Sequence, residues 1–463
     1  MKKTLMIAFT IVLSFQIYKD ISAMNTYIPR NEFFKDVVGI DEKTFREAFG
    51  WKLSSKELLH LSPETLKWVQ TPSLQRGAPP KPLAQWISKY PRRAAIFAGN
   101  VEINSLQRIH TTLRNIQSPL LGGNPRFTIQ VYNPENPTLT DIRSLVALPE
   151  NKNAAFQVAS SFFGMLEKDI DNPAVELNAM LKDPHQGEEI SIATAPATIY
   201  RKYFAPQPFL LRIPGQKIKL LTNNKGHLAI DFNSILNYSY DKNDAQHVPI
   251  GLHEGAVVSN GPSENPFTKP SLTDKQLQIP INTQPNGTIE ETTTHTVTLL
   301  FTSAFSIRGR ENLAQNTNVK AFCQMLLDAS YEATLKKVAL TQRPKIFLTL
   351  LGAGAPANPI GWVADALDKD SIKTLIKNYG IDVTLVYQSE KVSPRSPQTD
   401  AQFLERMFSL ADTINGTKHA QNPRLVEAIS NYTAALYANQ KEFASSQARL
   451  LMNFQQGELS RNI

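Results

Sequence analysis

The residues best placed to do chemistry lie between Lys345 and Trp362. Lys345-Ile-Phe-Leu-Thr-Leu-Leu351 is apolar without polar alternation, the pattern of a strand buried on both faces of an α/β sheet. Gly352-Ala-Gly354-Ala355-Pro-Ala-Asn358 follows at once, and Trp362-Val-Ala-Asp-Ala-Leu367 then has helical spacing. In a strand, glycine turn and helix of this kind, the loop N–H groups and the helix start behind them favour an anion such as a pyrophosphate. A tight strand-to-helix turn would need the same glycines for their φ angles alone, so the loop by itself leaves both readings open. Gly352-x-Gly354-x-x-Ala357 also fits the permissive dinucleotide fingerprint. Pro356 inside it, and the lack of an acid ending the next strand unless Glu390 is that acid, speak against a dehydrogenase.

Other chemistries lack their residues. The eight histidines show no HExxH or paired spacing and Cys323 is the single cysteine, so neither a zinc site nor a disulfide framework is expected. No Gly-x-Ser-x-Gly elbow or Cys/His signature supports acyl transfer, and no cofactor is implied. The 49 basic and 41 acidic residues of the 463 give +8, scattered without long Lys/Arg runs, which argues against dedicated nucleic-acid binding.

The elements that must position the loop are read in order. Lys2, Lys3, the apolar Leu5–Phe15 run and Ile21-Ser22-Ala23 predict a signal peptide cleaved after Ala23, hence an exported protein, periplasmic or secreted. No later stretch is apolar enough for a membrane span. Residues 24–85 read as a helical lead-in and linker. Residues 86–392 alternate strand and helix: a helix around Ile103–Ile116, a strand at Phe127–Tyr132, an amphipathic helix from Asn153 to Glu167 and a strand at Ile190–Ala195. Residues 210–290 read as an insertion. Thr294–Phe301 (strand), Asn318–Leu340 (helix) and the opening strand form a βαβ crossover, and Ile381–Tyr387 adds a further strand. Residues 393–463 read as a linker and a helical hairpin that either covers the sheet or docks a protein partner.

Four segments carry a resemblance. Phe156-Gln157-Val-Ala-Ser160 with Leu166-Glu167, Thr198-Ile-Tyr200-Arg201-Lys-Tyr203-Phe204, Tyr331-Glu-Ala-Thr-Leu335 and Leu348-Thr-Leu-Leu-Gly352 come in the order of motifs in a macrodomain-like family found among secreted bacterial effectors. The resemblance implies a three-layer α/β fold with a mixed sheet that binds ADP-ribose, or an ADP-ribosylated protein, at the carboxyl ends of its strands. Some members remove the ADP-ribosyl group. On the matched motifs it implies ligand contacts from Phe156, Gln157, Ser160, Tyr200, Arg201, Gly352, Gly354, Ala355 and Asn358. Hydrolysis would need a carboxylate to activate water, and Glu167, Asp183 and Asp365 are the acids nearest the motifs. Ala353, Pro356 and Ala357 depart from the family's loop, as do Gly164 and Ala197 elsewhere. A degenerate, non-catalytic interaction module is the rival reading.

Overall fold

The computed structural model describes residues 100–115, 123–136, 140–159, 232–239, 241–258, 295–341, 343–388 and 395–456. It also describes Lys43, the residue pairs 27–28 and 277–278, and Ile190, Ser191, Ala193, Thr194, Ala197, Thr198 and Arg201. The strands are β1 (Tyr27–Ile28), β2 (Asn100–Ser105), β3 (Arg126–Val131), β4 (Ala155–Ala159), β5 (Pro249–Val257), β6 (Leu277–Gln278), β7 (Thr296–Thr302), β8 (Lys345–Leu348) and β9 (Asp382–Tyr387). The helices are α1 (Leu106–Arg114), α2 (Ile142–Ala147), α3 (Phe232–Leu236), α4 (Lys242–Gln246), α5 (Thr317–Leu340), α6 (Ile360–Leu367), α7 (Asp370–Tyr379), α8 (Pro397–Asn415), α9 (Pro423–Tyr437) and α10 (Lys441–Gln456).

Seven strands form one mixed sheet in the order β2-β5-β7-β4-β8-β9-β3, with β1 and β6 pairing separately. β5 alone runs opposite to the other six strands of that sheet. All seven residues of β7 are buried, as a central strand covered on both faces must be. On one face Phe156, Leu299, Phe301 and Phe347 meet Leu145 of α2 and Ile190, Ala193 and Ala197. On the other, Leu300, Ile346, Leu348 and Leu385 pack with α5 and the C-terminal helices. This is the expected three-layer α/β fold.

Several local expectations need correction. Ala155–Ala159 is a strand, not the start of an amphipathic helix: Phe156 and Ala159 fall at helical spacing, but Ala155 to Val158 are all buried, with Phe156 and Gln157 on opposite faces. Ile190 and its neighbours are helical rather than extended, with Thr194 N–H donating to Ile190 O and Thr198 N–H to Thr194 O, each at 3.0 Å. Ile103 belongs to β2, and α1 starts later because the Ser105 hydroxyl caps it by accepting from the Arg108 N–H. The stretch 210–290, expected as an insertion, supplies β5, an interior strand of the sheet. The C-terminal hairpin has a third helix, α10. The signal peptide and almost all of the lead-in lie outside the described residues.

The C-terminal helices cover the sheet and also finish its edge. β3 is an edge strand, and an open edge presents unpaired backbone groups. Here the Asn415 carboxamide accepts from Phe127 N–H and donates to Phe127 O, both at 2.8 Å. The Gln455 carboxamide repeats this at Ile129, both bonds at 2.7 Å. Two side-chain amides thus stand where a neighbouring strand would lie. The double variant Asn415→Ala/Gln455→Ala is expected to lose about 2–6 kcal/mol in urea unfolding, about 1–3 for each site left unpaired, and to self-associate with rising concentration in light scattering.

Candidate functional site

The chain leaves β4 toward β5 and leaves β8 toward β9, which lie on opposite sides in the strand order. In open α/β sheets the crevice at the carboxyl ends of such strands receives ligands. The glycine loop sits there, directly after β8.

Its conformation is over-determined. Gly352 has φ +80°, and a Cβ there would lie 2.4 Å from Asn358 Nδ2 and 2.8 Å from Ala304 Cβ. Asn358 N–H donates to Gly352 O at 3.0 Å, and Ala357 N–H donates to Gly354 O at 2.9 Å, folding the loop back on itself. Ala357 takes the left-handed conformation, φ 62°, where glycine would be unstrained. The segment after β7 is tied on by Ile307 N–H to Pro356 O at 2.9 Å, and it carries Arg308 and Arg310.

Two sets of polar groups in this loop are left over. The N–H groups of Gly354 and Ala355, both partly exposed, make no hydrogen bond among the described residues. Asn358 is fully buried, yet neither Nδ2 nor Oδ1 of its side chain has a partner there. An orphaned buried amide is costly, about 1–3 kcal/mol, unless something else satisfies it. α6 begins two residues later behind Pro359, with no side-chain cap on its first N–H groups. The combination suits a bound anion with further hydrogen-bonding groups beside it.

The other expected site residues fall in several places. Gln157 is buried in β4, accepting from Thr349 N–H and donating to Thr334 Oγ1, each at 3.3 Å, so its amide holds the start of the loop. Phe156 is buried on the opposite face, stacked on Phe347 at 4.6 Å between centroids. Arg201 is buried over the Phe301 ring, with Nη1 2.9 Å from His253 Nδ1 and Nη2 donating to Thr198 Oγ1 at 2.9 Å. It makes no ion pair with a carboxylate among the described residues, and burial lowers its pKa to about 9. As acceptor from a guanidinium, His253 Nδ1 carries no proton, so that proton is on Nε2. Asp365 faces Arg406 of α8 across 2.8 Å in a half-exposed ion pair. Ser160, Glu167, Asp183 and Tyr200 lie outside the described residues. Cys323 is buried in α5 and its thiol is pushed up to about 12 by burial, which leaves it unreactive.

No family model matches the chain. No curated protein matches it either. Among solved structures, poly(ADP-ribose) glycohydrolase from Deinococcus radiodurans in complex with ADP-ribose is similar at 12% identity and a TM-score of 0.35, over 67% of this chain and 95% of that one. Poly(ADP-ribose) glycohydrolase from Thermomonospora curvata is similar at 11% identity and a TM-score of 0.33, over 79% of this chain and 100% of that one.

Sequence reasoning missed the two contacts that shape this site from outside the loop. Tyr331 was visible only as part of a motif, and its hydroxyl reaches the loop across the sheet–helix boundary. Ile307 gave no signal, because its contribution is a backbone N–H.

Proposed function

We propose that this chain binds ADP-ribose, free or carried on a protein, with the diphosphate on the loop from Gly352 to Asn358. The observation that carries the reading is the buried Asn358 amide and the N–H groups of Gly354 and Ala355 beside it, none of which has a hydrogen-bond partner among the described residues. A diphosphate supplies acceptors for the N–H groups, and a ribose hydroxyl can serve both ends of an amide. The macrodomain-like resemblance of the four motifs supports the same ligand, and Arg308 and Arg310 on the adjoining segment add positive charge.

The proposal extends to hydrolysis: water adds to the anomeric carbon of the ribose, a carboxylate takes a proton from that water, and the bond to the modified side chain breaks with its electron pair leaving on the side chain, which takes up that proton where it needs one. Glu167 and Asp183 are the acids proposed for that role; Asp365 is engaged by Arg406. Export is part of the reading, supported by Lys2, Lys3 and the Leu5–Phe15 run, and the amino-terminal sequence of secreted protein tests it. The rival reading, a non-catalytic module that docks a protein, has on its side the strained Ala357 and Pro356, which stands where the family has phenylalanine.

Saturable, diphosphate-dependent binding by the parent chain separates the two, and Gly354→Asp tests the loop, because it sets a carboxylate where the diphosphate would lie. ADP-ribose affinity in isothermal titration is expected to fall by about a hundredfold or more, as like charges juxtaposed at a binding surface cost several kcal/mol. Unchanged affinity would place the ligand elsewhere.

A further inference from the structure

The glycine loop does not hold its own shape at the end nearer the sheet. Tyr331, at mid-length in α5 and fully buried, reaches across to the segment that follows β8. Its hydroxyl donates to Thr349 O at 2.7 Å and accepts from Leu351 N–H at 3.0 Å. The Leu351 N–H also donates to Thr349 O at 2.9 Å, closing a three-residue turn of the common form with negative φ at Leu350, so the Tyr331 hydroxyl and the Thr349 carbonyl share one N–H. From the neighbouring strand Gln157 accepts from Thr349 N–H, so the two side chains together hold residues 349–351. Gly352, with its positive φ, is the next residue, and Gly354 comes two further on.

We infer that Tyr331 is a positioning residue for the diphosphate loop: its hydroxyl fixes the exit of β8, and through it the direction in which the Gly354 and Ala355 N–H groups point. The inference rests on the proposed function for its ligand and on hydrogen-bond geometry for its mechanism. A phenol suits the task because one oxygen both donates and accepts, and because burial keeps its proton on by raising its pKa. The hydroxyl is committed at both its donor and one acceptor site, so it touches the loop and not the ligand.

The test is Tyr331→Phe in the full chain, titrated with ADP-ribose and with adenosine, which lacks the phosphates. ADP-ribose affinity is expected to fall about ten- to a hundredfold, the size of effect that a misplaced binding group produces, while adenosine affinity stays within about twofold. A merely structural defect would lower both, and that result, or unchanged binding of both, overturns the inference. Gln157→Leu, which takes the acceptor from Thr349 N–H, is expected to show the same selective loss and serves if Tyr331→Phe does not fold. If the parent chain does not bind ADP-ribose, the functional reading fails. Hydrogen exchange then decides the inference: faster exchange at residues 349–355 in Tyr331→Phe supports it, and an unchanged rate overturns it.

Discussion

Asp400→Ala is expected to destabilise the protein by about 3–5 kcal/mol, the cost of stranding a buried cation. Arg395 and Asp400 are both buried, with Nε donating to Oδ1 at 3.0 Å and Nη2 to Oδ2 at 2.7 Å. The Tyr387 hydroxyl donates to the same Oδ2 at 2.7 Å, and Tyr437 adds a longer bond at 3.3 Å. Removing the carboxylate leaves a guanidinium and two phenols without their acceptor where β9 meets α8. Among the described residues Arg395 also donates to Gln388 O at 3.0 Å and lies over the Tyr387 ring, and neither contact neutralises its charge. Replacing both charges with apolar residues of similar volume should cost much less, since the penalty lies in the unpaired charge rather than in the absence of the pair. Urea unfolding measures both. A loss below about 1 kcal/mol for Asp400→Ala, the value of a surface pair, would mean that water reaches this cluster.

Gly352→Ala is the second large effect, expected at about 2–5 kcal/mol. A left-handed conformation costs a non-glycine residue about 1–2 kcal/mol. Overpacking adds about 1–3. The methyl group would press on Nδ2 of the fully buried Asn358 and on Cβ of the partly buried Ala304, the latter short and unable to rotate out of the way. The displaced group is the amide assigned to the ligand, so ADP-ribose affinity should fall with stability. Gly361→Ala is the control: nothing lies within 4 Å of a Cβ there and the position is helical, so stability should hold or rise by about 0.5–1 kcal/mol. Equal effects at the two glycines would contradict the described shape of the loop.

The parts of the fold legible in the sequence are those in which one pattern had no competitor. Thr296–Thr302, Asp382–Tyr387 and the long helix Thr317–Leu340 match their expected positions to within about two residues, since uninterrupted burial or long periodicity leaves little choice. Ala155–Ala159 misled because a short run of apolar residues satisfies both periods, and the partners that decide, β7 and β8, lie far along the chain. β5 was hidden by His253, Glu254 and Gly255, where its register with β7 shifts. Within the site, the glycine loop and Asn358 could be read directly, because glycine spacing is a local signal. The support from Tyr331 and Gln157 could not, because it exists only once helix and strand are packed.

Isothermal titration of the purified protein with ADP-ribose, with AMP and NAD as controls, bears most directly on the proposed ligand. Saturable micromolar binding that prefers ADP-ribose to both controls and disappears in Gly354→Asp is the expected result. No heat of binding, from a sample whose circular dichroism and cooperative unfolding show it to be folded, would contradict the assignment of the Gly352–Asn358 loop to a diphosphate.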